Sequence, residues 1–179
     1  MSHKHPNETH LEVTGIGFPK WSARGVKQTL EPIGGGEPRR TINGELLDTP
    51  SLCAGKYRTL LSGTDKNMPA FAHLRKGLQV EVSCVMKWWE PLVKGKCTLS
   101  RKPVNNSVTL LDTTLKPIFV PIQINKSEVS VPSLIDEKEV GDGRWILYRP
   151  VLMMRVISWE MQTNERELST SWRITLEEV

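Results

Sequence analysis

VLMMRVISWEMQTNERELSTSWRITLEE, residues 151–178, is the stretch on which the fold turns. In its first half Val151, Met153, Arg155, Ile157, Trp159 and Met161 alternate with Leu152, Met154, Val156, Ser158, Glu160 and Gln162. After the polar turn 164–167, Leu168, Thr170, Trp172, Ile174 and Leu176 alternate with Ser169, Ser171, Arg173, Thr175 and Glu177. Period-two alternation marks a strand, and two such runs across a short polar turn make a β-hairpin with arms 151–163 and 168–177. Each arm has roughly 12 residues, or about 40 Å at the usual rise. A typical strand is about half that. The first arm is apolar on both faces as far as Ile157, which predicts a strand sandwiched between layers. In this phase Trp159 and Trp172 point inward, so both are expected in the core.

Upstream, 78–89 repeats the signal. Leu78, Val80, Val82, Cys84, Met86 and Trp88 fall on one face, while Gln79, Glu81, Ser83 and Lys87 fall on the other. Val85 and Trp89 are the exceptions, and the pattern predicts one half-buried strand with Trp88 inward. Pro and Gly punctuate the first two thirds of the chain closely enough to leave room for strands and little for helices. Between them lie β-type segments at 10–14, 26–33, 39–47 and 56–63. The stretch 92–143 reads as a loop-rich excursion. Within it, 117–124 carries two prolines and suits an edge strand or extended arm, and 135–140 reads as one helical turn or a loop. The expected organisation is an N-terminal arm (1–10), a first β unit (11–91), the excursion (92–143) and a C-terminal hairpin (144–179) packing on the same domain. The expected fold is mainly β, an antiparallel β-sandwich or barrel with a long C-terminal hairpin and extended arms.

Composition narrows the function. At 179 residues the chain can bury roughly 70% of its unfolded surface and needs no disulfide to hold a core. Its apolar fraction is 38%, low enough to imply a modest core and much polar surface. The net charge of +4 is spread along the chain rather than gathered on one face, so nucleic acid is not the expected partner. No apolar run is long enough to span a bilayer, and MSHKHPNETH has no leader-like apolar core. Cys53, Cys84 and Cys97 form no CxxC pair, so we expect three reduced thiols in a chain folded in a cytoplasm, with Cys84 packed in the core.

The sequence offers little for chemistry. His3, His5 and His10 have no carboxylate or cysteine at metal-ligand spacing, which leaves them as a solvated arm and predicts no metal. His73 stands alone, without the carboxylate a general base would need. Gly34, Gly35 and Gly36 are followed by neither Lys-Ser nor Lys-Thr, so they read as a flexible loop and not a phosphate cradle. Glu177 and Glu178 fall on opposite faces of a strand and cannot form an acid/base pair. We therefore expect no catalytic residue and no cofactor. Tryptophan is the informative residue type: six, against two tyrosines and three phenylalanines. Exposed Trp and Arg are the usual anchors of interfaces. Trp21 and Arg24 in a loop, Trp89 opposite Trp88, and Arg155 and Arg173 on the hairpin arms are the interface candidates. A sugar-binding aromatic is the competing reading for Trp21 and Trp89.

The segments ARGVKQTLEPI (23–33), RRTINGELLD (39–48), YRTLLSGTDKNMPAF (57–71) and LRKGLQVEVSCV (74–85), with the ending from Tyr148 to Val179, resemble small β-rich virion structural proteins of tailed bacteriophages. The stretch 92–143 lies outside the resemblance. What the resemblance implies is a structural subunit of a tail, tail tip or baseplate, assembled in the host bacterial cytoplasm into a virion. Its partners would be other virion proteins and copies of itself. Long strands agree with this, because an unpaired edge invites strand addition from a neighbour. The alternative is a surface β-sandwich module that binds a host glycan or receptor.

Overall fold

The computed structural model describes residues 9–18, 25–34, 39–47, 55–66, 69–132 and 143–179. Among these there is no α-helix, and the strands follow the turn residues closely. In chain order they are β1 (Glu12–Val13), β2 (Lys27–Ile33), β3 (Arg39–Arg40), β4 (Leu46–Leu47), β5 (Lys56–Asp65), β6 (Gln79–Ser83), β7 (Trp88–Pro91) and β8 (Lys96–Thr98). There follow β9 (Thr109–Leu111), β10 (Pro117–Ile118), β11 (Gln123–Asn125), β12 (Glu128–Ser130), β13 (Trp145–Tyr148), β14 (Val151–Asn164) and β15 (Ser169–Glu178). The protein is mainly β, and among the described residues the sheets are antiparallel and open, with no closed barrel. The chain divides into two compact units, one of Met1–Glu81 with Met153–Val179, the other of Val82–Leu152. The hairpin thus completes the unit begun by Met1–Glu81, and the stretch 92–143, expected to be loop-rich, carries short strands β8 to β12 of its own. The N-terminal residues 1–8, Cys53 and the segment 135–140 lie outside the described residues.

The first unit is built on the sheet β1-β6-β14-β15-β5-β2. The predicted hairpin is present as β14 and β15, paired from Met154↔Glu178 to Asn164↔Ser169. β15 lies between β14 and β5, so each of its inward residues faces two partners. Leu176 lies opposite Val156 and Thr59, Ile174 opposite Trp159 and Leu61, and Trp172 opposite Met161 and Gly63. Leu61, Thr59, Ile174, Leu176 and Trp172 are buried. Trp172 packs against Phe18 and Phe71 at ring-centroid distances of 5.5 and 6.0 Å. Its indole also lies across Gly63, where an added Cβ would come within 2.5 Å of the ring. The glycine in β5 is therefore the seat of the tryptophan.

Several expectations need correction here. The register between β14 and β15 slips by one residue between Val156 and Ser158, leaving Ile157 as a β-bulge. Before the bulge the even residues Leu152, Met154 and Val156 are buried. After it the odd residues Trp159, Met161 and Thr163 lie opposite Ile174, Trp172 and Thr170 on the inward face. The strand is not sandwiched on both faces: ahead of the bulge only the even residues are covered, and the apolar residues that follow it change phase. Met153 is accordingly 50% exposed, and Arg155 is exposed. Trp159 is on the inward face but 39% exposed rather than buried. Phe71 packs against it at 5.8 Å, yet among the described residues no strand pairs with the far side of β14 there. The predicted strand 78–89 is two strands. β6 ends at Ser83, and β7 starts at Trp88 in a different sheet. Val80, Val82 and Cys84 are buried as expected, whereas Leu78 and Met86 are exposed.

The second unit holds the sheets β10-β9-β13-β7 and β11-β12-β8. Leu110, Ile146 and Tyr148 from the first, and Cys97 and Val129 from the second, join Leu92, Leu99 and Val131 in one buried cluster. Trp88 is half-buried against it. The predicted edge character of 117–124 is seen: β10 and β11 are both edge strands. β7 and β8 are joined through Lys94 and Gly95, both at positive φ (50° and 69°). Val93 and Lys96 exchange both backbone hydrogen bonds across them, at 2.9 and 3.0 Å. This is the type I′ turn that suits the twist of paired strands.

The seating of Trp172 on Gly63 makes a quantitative expectation. Trp172→Ala should cost about 3–5 kcal/mol, and Gly63→Ala about 1–3 kcal/mol through overpacking. The two changes should be far from additive, because Gly63→Ala loses its clash once the indole is gone. Urea melts of the two single variants and the double variant measure this, and additive costs would show that the ring does not rest there.

Candidate interaction surface

Antiparallel register sorts the outward side chains of the first unit into rows. Glu31, Arg58, Glu177 and Arg155 form one row, Thr29, Leu60, Thr175 and Ser158 the next, then Lys27, Ser62, Arg173 and Glu160, then Thr64, Ser171 and Gln162. Opposite charges stand side by side within the rows. The Arg58 guanidinium donates to Glu177 Oε1 from Nε and Nη2 at 2.9 and 2.7 Å. Arg173 Nη1 lies 3.2 Å from Glu160 Oε1, both well exposed. Exposed pairs of this kind contribute little stability, but they fix what the face can meet. A shallow concavity of about 450 Å³ lies among Lys27, Ser62, Thr64, Gln162, Ser171 and Arg173. It is open and mostly polar, with Met161 and Trp172 as the apolar side chains of its lining, unlike the enclosed, mainly apolar pockets that hold small ligands.

The hairpin also has a bare margin. β6 occupies the outer side of β14 as far as Val156, whose N–H donates to Leu78 O (2.9 Å) and whose carbonyl accepts from Gly77 N–H (2.8 Å). Among the described residues, the strand from Ser158 to Asn164 is paired only with β15, and all seven side chains are exposed. Lys, Pro or an inward charge would blunt such an edge. None stands there, and Glu160 is already engaged with Arg173. The turn that ends this margin places Leu168 at φ 48° and 74% exposed.

The predicted interface residues fall in different places. Arg155 and Arg173 are exposed on the same outward face, two rows apart. Trp89 is 47% exposed on β7, in the second unit. Trp21 and Arg24 lie outside the described residues. Sequence reading missed the margin 158–164 because alternation describes faces, and an edge is a matter of which strand stops first. It also missed Phe119, 92% exposed between Pro117 and Pro121. Two prolines around an aromatic in an extended segment were the available signal.

The second unit holds a polar constellation around Ser100. Ser100 Oγ donates to Glu90 Oε1 at 2.6 Å and lies 3.2 Å from Tyr148 Oη. The contact satisfies a buried phenol, whose pKa burial pushes up. Burial, followed by the nearby Glu90 carboxylate, pushes the Cys97 thiol up to about 11. Both shifts favour the neutral form, the opposite of what activates a nucleophile. Among the described residues no group of three or more His, Cys, Asp or Glu could hold a metal ion. No helix there is long and apolar enough to cross a membrane. In the folded protein at pH 8, Cys97 should therefore alkylate roughly 100-fold more slowly than a thiol of ordinary pKa. A timed iodoacetamide pulse with peptide mapping checks this, and reaction at the rate of free cysteine would contradict it.

No protein-family model, curated protein or solved structure matches the chain.

Proposed function

We propose that the chain is a structural subunit of a bacteriophage particle, in the tail, tail tip or baseplate, and that it works through contacts with copies of itself and other virion proteins. The observation that carries this reading is the unblunted margin of β14 at 158–164, in a strand of 14 residues. A soluble monomer that kept such an edge open would present a template for uncontrolled pairing. In an assembly the same edge is a joint. The charged rows of the outward face fit this role too, since complementary surface charge sets register and excludes wrong neighbours. The resemblance of five segments to tailed-phage virion proteins supplies the setting.

Trp89 favours a second reading. A half-exposed indole can stack on a sugar ring, as a receptor- or glycan-binding module requires. The readings part in experiment. Antibody raised to the chain should label tailed particles in electron micrographs of lysates from the host that encodes it, at a fixed position on the particle. Label scattered over all parts of the particle, or absent from it, would overturn the structural reading. Label confined to the particle surface, with binding to a glycan array abolished by Trp89→Ala, would replace it with the receptor module.

A further inference from the structure

We infer that the margin 158–164 of β14 pairs with the same margin of a second copy, antiparallel, about a two-fold axis at Met161. This rests on the assembly reading only for the nature of the occupant. The site itself follows from the register.

The margin is bounded at both ends. At one end the bulge at Ile157 and the hydrogen bonds of Val156 to Gly77 and Leu78 mark where β6 takes over. At the other, the chain leaves β14 after Asn164 to turn into β15. A partner strand can occupy Ser158 to Asn164 and no more. A two-fold pairing that uses the whole margin must be centred on its middle residue, Met161. Centring on a residue also keeps the pleats of the two strands in phase, so inward residues meet inward residues.

The side chains suit that register. Met161 meets Met161 of the second copy, Trp159 meets Thr163, Glu160 meets Gln162, and Ser158 meets Asn164. Aromatic against β-branched is a favourable cross-strand pair, and no like charges face each other. A shift of the axis by one residue would set Glu160 against Glu160. On the inward face the join would bring together the half-exposed Trp159 and Met161 of both copies, which the single chain leaves to water. On the outward face it would continue the Glu160–Arg173 row with an amide.

The test is cysteine cross-linking of the full chain. In this register the two Met161 Cα atoms lie about 4.5–5.5 Å apart, within the roughly 4.4–6.8 Å span of a disulfide. Residues two positions out of register are about 7–8 Å apart. Met161→Cys should therefore give a covalent dimer under mild oxidation, with a 161–161 link in the peptide map. Glu160→Cys and Gln162→Cys should each stay monomeric alone, but should cross-link when mixed. A second pair of variants does not depend on oxidation. Gln162→Glu sets two like-charge pairs across the axis and should weaken self-association in sedimentation by roughly 2- to 30-fold, while Gln162→Lys should tighten it. Met161→Cys without a 161–161 link, or Glu160→Cys cross-linking as readily as Met161→Cys, would overturn the inference. A wild-type chain that self-associates while Met161→Cys fails to link would remove this edge and leave the assembly reading standing. A chain absent from labelled particles would remove that reading and leave the dimer.

Discussion

A strand can show a core only every second residue, and β14 does so in two phases. Leu152, Met154 and Val156 are buried on even numbers. Trp159, Met161 and Thr163 face the inward residues of β15 on odd ones. The single inserted residue Ile157 reconciles the two. Without it, either the first half or the second would turn its apolar side chains to the polar face, because a one-residue slip flips every side chain. The bulge therefore sets the register of β15, the register of β15 sets that of β5, and the seat of Trp172 on Gly63 follows. It also falls where β6 stops pairing, so the same residue that phases the core marks the start of the bare margin.

The sequence carried much of this. The hairpin, its turn and the burial of Trp172 were legible because β15 keeps one phase throughout, from Thr170 to Leu176. The edge character of 117–124 was legible because proline lacks the N–H a central strand must donate. The bulge was not, because an apolar residue on each face around Ile157 looks the same whether the strand is covered twice or changes phase. The break in 78–89 was hidden for a similar reason. Alternation continues through Cys84 and on to Trp88, although the chain turns a corner and joins another sheet. The consecutive apolar pairs Val85–Met86 and Trp88–Trp89 were its only trace. Of the interface candidates, Arg155 and Arg173 share a face, but the margin beside them depends on where β6 ends, and pairing at long range leaves no local mark.

The second unit reaches order by different means. Its strands have two to four residues, too few to hold a sheet by length, so turns and side-chain caps take a larger part. Asp112 shows how. Its Oδ1 accepts from Thr114 N–H (2.7 Å), Thr114 Oγ1 (2.8 Å) and Lys116 N–H (2.8 Å). These bonds, that of the Lys116 N–H first, lower its pKa. They also hold the turn in which Leu115 takes φ 63°, a conformation that the Cβ of any residue but glycine disfavours.

The first unit is discontinuous in sequence, being made from Met1–Glu81 and Met153–Val179 with Val82–Leu152 in between. Its sheet is therefore not assembled in the order in which the ribosome delivers it. β2 and β5 emerge early and pair with each other, but the other side of β5 belongs to β15, which follows the other five strands of this sheet. During synthesis β5 offers a long open edge to any neighbouring nascent chain, and Gly63 sits in it with no indole to cover it. The second unit, contiguous in sequence, has all its strands before β15 appears. Of the strands that build this sheet, β15 is made after the others and is inserted between β14 and β5, and until it arrives the first unit is held to the state of a half-built sheet.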